Sequence, residues 1–202
     1  MPTPPVTAKG EATRQRILDA ATSEFAAYGL AGARVDRIAE VAHTNKGQIY
    51  AYFGSKEALF DAVFFASMHQ IMADAPIDPD DLADWAVRLY DDYLDHPERV
   101  RLATWHRLER RPHGLLVDED DRLDSAKLRG IAEAQQAGKV RPALPFDVMA
   151  LVIAMSCTWS PTSTVYTATA SEDAATHAAR RDLLRTAVSA AVAGPARAGS
   201  VG

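Results

Sequence analysis

From residue 13 onward helix signals dominate, with apolar side chains recurring at spacings of three and four along most of the chain. Neighbours three and four positions apart share one face of a helix, whereas a strand returns to the same face every second residue. Only residues 163–170 lean towards strand, and they lack alternation, so the chain is expected to be all-α with about nine helices. The first helix is predicted over 13–28, with Ile17, Ala21, Phe25 and Tyr28 on one stripe and Gly29 as a left-handed stop. A short second helix over 35–42 turns Val35, Ile38, Ala39 and Ala42 inward, and a third covers 46–53. Ser55 reads as the N-cap of a fourth that reaches about residue 72, with Leu59, Val63 and Phe64 inward. Further on, Asp78 and Pro79 read as a cap and first helical position ahead of a stripe of Leu82, Trp85, Leu89 and Tyr93. Pro97 opens a helix to Arg110. Another spans 119–137, with Leu123, Leu128 and Ile131 on its apolar side and the acidic run 118–121 complementing the dipole at its start; Gly138 closes it. Pro145 opens the next, and Ser171 is expected to cap the last.

Composition narrows the class. Of the 202 residues, 48% are hydrophobic, ample for a packed core. The most apolar run, 148–157, is interrupted by Ser156 and falls well short of the ~20 residues of a membrane span. The first ten residues are rich in Pro and Thr with no apolar stretch, so no signal peptide is read. A single cysteine, Cys157, excludes an intramolecular disulfide; on an apolar helix it reads as an inert buried thiol, with a redox sensor as the alternative. The expected setting is cytoplasmic. The net charge of −5 is uneven: residues 1–57 carry seven basic against six acidic side chains, the remainder fifteen against twenty-one. That asymmetry is compatible with local phosphate contacts near the N-terminus.

Residues 35–59 read VDRIAEVAHTNKGQIYAYFGSKEAL. Two short apolar helices joined by His43-Thr44-Asn45 form a helix-turn-helix layout, whose second helix enters the major groove and reads bases from its N-terminal end. Lys46 supplies a cation there, and Gly47, lacking a Cβ, lets the backbone approach a phosphate. Gln48 can bond adenine N6 and N7 together, and the Tyr50 and Tyr52 hydroxyls suit phosphate or base edges. Ile49 and Phe53, four apart, hold the helix down. A second reading stands for Gln48: Asn45-x-x-Gln48 is also a capping-box pattern, in which the glutamine folds back to the Asn45 amide.

These residues resemble the DNA-binding segment of the TetR family of bacterial one-component regulators. The run Lys46-Gly47-Gln48-Ile49-Tyr50-Ala51-Tyr52-Phe53, followed by Lys56-Glu57-Ala58-Leu59, is similar to that family's Lys-Gly-x-(aliphatic)-Tyr-x-(Tyr/His)-Phe and Lys-Glu-x-Leu pattern. The resemblance covers residues 13–60. It implies a three-helix DNA-binding domain over 13–54 and an effector-binding and dimerisation bundle over 55–193, between an N-terminal arm (1–12) and a C-terminal tail (194–202), both expected to be disordered. It further implies that Arg34, Thr44, Asn45, Lys46, Gly47, Gln48, Tyr50, Tyr52 and Lys56 meet DNA, with Lys56 on the flanking phosphate. The last two helices would form a homodimer through Val148, Leu151, Leu184, Ala187, Val188 and Ala191. The partners implied are palindromic operator DNA, a second copy of the chain and a small hydrophobic or amphipathic effector. Three positions depart from the pattern: His43 stands where glycine is usual, Thr44 where an aliphatic residue is common, and Arg34 where Ser or Thr normally caps the second helix.

Aromatic and methionine side chains at helical spacing are candidates for an effector cavity: Phe64, Met68, Trp85, Leu89 and Tyr93, then Trp105, Met149, Val152, Met155 and Trp159. The same spacing serves a plain core equally well. His96, His106 and His113, with Asp92 and Glu109 nearby, lack the i, i+4 histidine pair of a helical zinc site, so no metal or cofactor is expected. An enzyme is disfavoured, because no nucleophile–base constellation or phosphate-binding glycine loop is present. The expected function is a ligand-released repressor; a constitutive DNA-binding dimer with no effector is the alternative, and activation in place of repression stays open.

Overall fold

The computed structural model describes residues 8–116 and 125–194, and among them nine α-helices: α1 (Ala8–Gly32), α2 (Val35–Val41), α3 (Lys46–Phe53), α4 (Lys56–Asp74), α5 (Leu82–Asp95), α6 (Pro97–Glu109), α7 (Ser125–Gln136), α8 (Pro145–Ser156) and α9 (Ala174–Val192). The acidic run 118–121, Leu123, and the segments before residue 8 and after 194 lie outside the described residues. Among the described residues no strand forms, only an isolated bridge between Val140 and Ala193. Contacts divide the chain into two units, residues 1–70 with 98–116 and residues 71–97 with 117–202.

The first unit is built on α1. Ile17, Ala21 and Phe25 are fully buried among Ile38, Ile49, Leu59, Phe60, Val63 and Leu102. Phe25 meets Phe60 edge-on with ring centroids 5.1 Å apart, a geometry that adds about 1 kcal/mol to simple burial. The helix starts at Ala8, earlier than the expected residue 13, and breaks at Gly29 (φ 67, ψ −177) before a last turn to Gly32. Glycine is needed at the break: a Cβ would lie 2.8 Å from the Trp105 ring. Tyr28, expected inward, is exposed beneath the Arg37 guanidinium, 4.3 Å from its ring centroid.

In the second unit α5 packs on α8 and α9. Trp85, Leu89 and Tyr93 are buried as their spacing predicts, and the Trp85 indole N–H donates to the Ala75 carbonyl at 3.0 Å. Two caps differ from expectation. Asp81, not Asp78, caps α5 by accepting the Asp84 amide at 2.9 Å, while Asp78 closes a turn onto the Asp80 amide. Asp173, not Ser171, caps α9 by accepting the Thr176 amide at 2.9 Å. An aspartate two or three residues nearer the helix is the stronger competitor for its free N–H groups. Pro145 takes the first position of α8, which ends in a 3₁₀ turn at Cys157–Trp159.

Candidate nucleic-acid interface

The turn between α2 and α3 is made by three consecutive backbone choices. Ala42 ends α2, His43 takes φ 50, and Asn45 returns to an extended conformation. The His43 and Thr44 amides donate back to Glu40 and Ala39 at 3.1 and 2.9 Å, closing the end of α2. The Asn45 side chain then accepts the Gln48 amide at 2.9 Å and caps α3. A Cβ on Gly47 would stand 3.2 Å from that same Asn45 oxygen, so glycine leaves the cap unobstructed.

Within α3 only Ile49 is fully buried, with Phe53 partly packed on the core beneath. That anchoring turns Lys46, Gly47, Gln48, Tyr50 and Tyr52 outward, the two tyrosines 43% and 39% exposed. Asn45 is exposed and Thr44 half-buried. Lys46 pairs with Asp36 at 2.7 Å, both side chains largely in solvent. The Gln48 carbonyl oxygen accepts a hydrogen bond from the Thr44 hydroxyl. Half of the capping box is therefore made, by Asn45, and the reciprocal half is not. Lys56 reaches the Ala31 carbonyl at 3.4 Å.

Arg34 occupies the N-cap of α2 without a side-chain cap. The capping acceptor comes from α1 instead. Glu24 receives the Arg34 amide at 2.7 Å and the Arg37 guanidinium at 2.5 and 2.8 Å. Burial works to raise the Glu24 carboxyl, but these bonds from Arg37 and Arg34 outweigh it and hold the group below the ordinary carboxylate value. Thirteen residues separate Glu24 from Arg37, too far for any local pattern to pair them. Glu109 was missed for the same reason: it accepts the Leu30 and Ala31 amides at 2.6 and 3.3 Å and caps the last turn of α1.

The expected effector-lining residues fall in both units. Trp105 packs on the α1 break and donates to the Ala26 carbonyl at 3.3 Å, so it is core of the first unit. Phe64 is fully buried and Met68 half-buried there. In the second unit Trp85, Leu89, Tyr93, Met149 and Val152 are buried, and Met155 and Trp159 half-buried. Tyr93 and Trp159 border a narrow cleft with Tyr90, Leu94, Ser156 and Ser160, which leaves no room for a water-sized molecule. A separate open recess of about 240 Å³ is lined by Asp74, Asp91, Asp92, Asp95, His96 and Arg88, and ligand-type atoms of Asp74, Asp92 and His96 lie within 4.8 Å of one another.

The residues expected at the dimer interface differ in their burial within one chain. Val148, Leu184 and Val188 are 4%, 3% and 0% exposed within one chain, because α5 takes that side of α8 and α9. Ala187 and Ala191 are half-buried. Leu151 stays outside at 44%, and Leu183, one position from the predicted stripe, is 60% exposed.

Two family profiles match the chain: "Bacterial regulatory proteins, tetR family" over residues 17–63 and "Tetracyclin repressor-like, C-terminal domain" over 81–189. The chain is 40% identical over 151 residues to the HTH-type transcriptional repressor SCO4008 of Streptomyces coelicolor, covering 72% of this chain and 77% of that one. It is 33% identical over 160 residues to the HTH-type transcriptional repressor NicS of Pseudomonas putida, covering 74% and 76%. Among solved structures, Streptomyces coelicolor SCO4942 superposes with a TM-score of 0.73 at 38% identity, over 91% of this chain and 99% of that one. The helix-turn-helix and the helical unit that follows it are thus those of known regulators, and the chain belongs to the TetR family of bacterial regulatory proteins.

Proposed function

We propose that this DNA-binding transcriptional regulator acts as a homodimeric repressor, holding a palindromic operator with α3 and releasing it on binding a small molecule. The observation that carries this reading is the outer face of α3: one lysine, one glutamine, two tyrosine hydroxyls and a glycine, all exposed on a helix pinned by Ile49. In the proposed complex Lys46 leaves Asp36 for a phosphate, and Gln48 leaves Thr44 for a base edge. Tyr50, Tyr52 and the Gly47 amide contact the backbone, with Arg34, Thr44, Asn45 and Lys56 on its flanks. Two such helices must stand about 34 Å apart to occupy successive major grooves. An effector relieves repression only by binding more tightly to the conformation that loses this spacing. The repressors SCO4008 and NicS support the sign of the regulation.

A second reading, a constitutive DNA-binding dimer with no effector, is favoured by the close packing around Tyr93 and Trp159. Gel shifts and footprints on DNA flanking the protein's own gene, with salt varied, test the shared claim; a protected palindrome whose affinity falls with salt is expected. Lys46→Ala should weaken binding across sequences and lower the salt slope by about one. An unchanged slope removes Lys46 from the phosphate contacts. Release of the complex by any small molecule decides between the two readings.

A further inference from the structure

The end of α5 shares a recess with the end of α4, both within the second unit. Asp92 and His96 stand four positions apart, a spacing that puts them on one side of a helix end, and Asp74 is the last residue of α4. An oxygen of Asp74, an oxygen of Asp92 and a ring nitrogen of His96 lie within 4.8 Å of one another. The recess that they line with Arg88, Asp91 and Asp95 is open to solvent and holds about 240 Å³. The absence of two histidines four apart argued against a helical zinc site. Here aspartate takes one of those two positions, and α4 brings a third ligand across.

Charge selects a cation for this place. Among the residues that line the recess, four carboxylates stand against one guanidinium, that of Arg88. Arg88 also serves Asp84, 3.1 Å from its Nε, while Arg181 takes Asp91 at 2.8 Å. Asp92 is only 7% exposed, and a carboxylate so far removed from water is stabilised by positive charge close at hand. The histidine then decides which cation. Magnesium and calcium seek shells of oxygen, whereas an imidazole beside carboxylates suits zinc and its first-row neighbours. Three protein ligands that face open space leave the remaining position to water. Bonds of about 2.1 Å to one ion would draw the three atoms to about 3.4 Å apart, a closure that side-chain torsions supply.

We propose that Asp74, Asp92 and His96 form a binding site for one divalent transition-metal ion of the zinc type, completed by water from the recess. The ion ties the last residue of α4 to the C-terminal end of α5. The site requires neither operator nor effector, so it stands apart from the effector-released reading above.

The test uses the untagged full chain, stripped with EDTA, and Co²⁺, Zn²⁺ and Mg²⁺ as probes. One equivalent of Co²⁺ should develop the strong visible bands of a four- or five-coordinate ion. Zn²⁺ should bleach them, and a large excess of Mg²⁺ should leave them in place. His96→Ala and Asp74→Ala should each weaken Co²⁺ at least about tenfold, since even residues that only support a ligand cost that much. Asp95→Asn, on the recess wall but outside the triad, should weaken it by no more than about fivefold, as a screened charge does. His113→Ala, exposed beyond α6, should change nothing. A spectrum that stays that of hexa-aquo cobalt overturns the site. So do equal losses in His96→Ala and Asp95→Asn, bands lost with His113→Ala, or displacement by Mg²⁺. Should the variants unfold, judged by circular dichroism, the competition of Zn²⁺ and Mg²⁺ for the wild-type chain decides alone. No DNA is present, so this result and that of the gel shift can fail separately.

Discussion

At position 43 a histidine holds a backbone conformation that favours glycine, at φ 50. Left-handed backbone costs an ordinary residue about 1–2 kcal/mol, so His43→Gly should raise stability by about 1 kcal/mol. A urea midpoint that rises with an unchanged slope would show it, and no rise would mean the turn is relaxed as it stands. The departure was visible in the sequence because the family pattern that residues 13–60 resemble usually has glycine there. Arg34 was different, since its missing cap could be seen but its replacement could not. Glu24 binds fewer protons folded than unfolded, so its contribution is present above the ordinary value of 4.5 and is lost as pH falls through the lowered folded value. Glu24→Gln should therefore cost about 2 kcal/mol at neutral pH, with the gap to wild type narrowing below about pH 4 in denaturation series. A gap independent of pH would reduce Glu24 to a neutral cap.

At the scale of elements, α3 was legible over 46–53, because the Asn45 capping pattern and the inward Ile49 are both local. The caps of α5 and α9 were displaced by two or three residues, since several aspartates and serines near each start are equivalent until the chain's path selects one. The link from α6 to α1 was not legible at all: Glu109 finds the Leu30 amide 79 residues away. Glu109→Ala should cost about 1–2 kcal/mol, in line with other charged caps, and speed hydrogen exchange at the Leu30 and Ala31 amides selectively. Uniform exchange across α1 would count against a local cap.

For the molecule as a whole, the proposed dimer needs apolar surface that one chain leaves uncovered, and Leu151 on α8 and Leu183 on α9 are both exposed. Leu183→Glu should leave the monomer's stability within about 0.5 kcal/mol, because the side chain is already in solvent, yet dissociate the dimer in sedimentation and with it operator binding. A dimer that persists places the interface elsewhere. The sequence by itself determined the helical class, the helix-turn-helix and its outward residues, because period, capping and turn chemistry act over a few residues. Which face of α8 and α9 is core, which carboxylate caps α2, and which residue of α4 meets His96 were decided only by the tertiary structure. Apolar residues on two adjacent helix faces look alike until a neighbouring helix occupies one of them, and partners far apart in the chain leave no mark at local spacing.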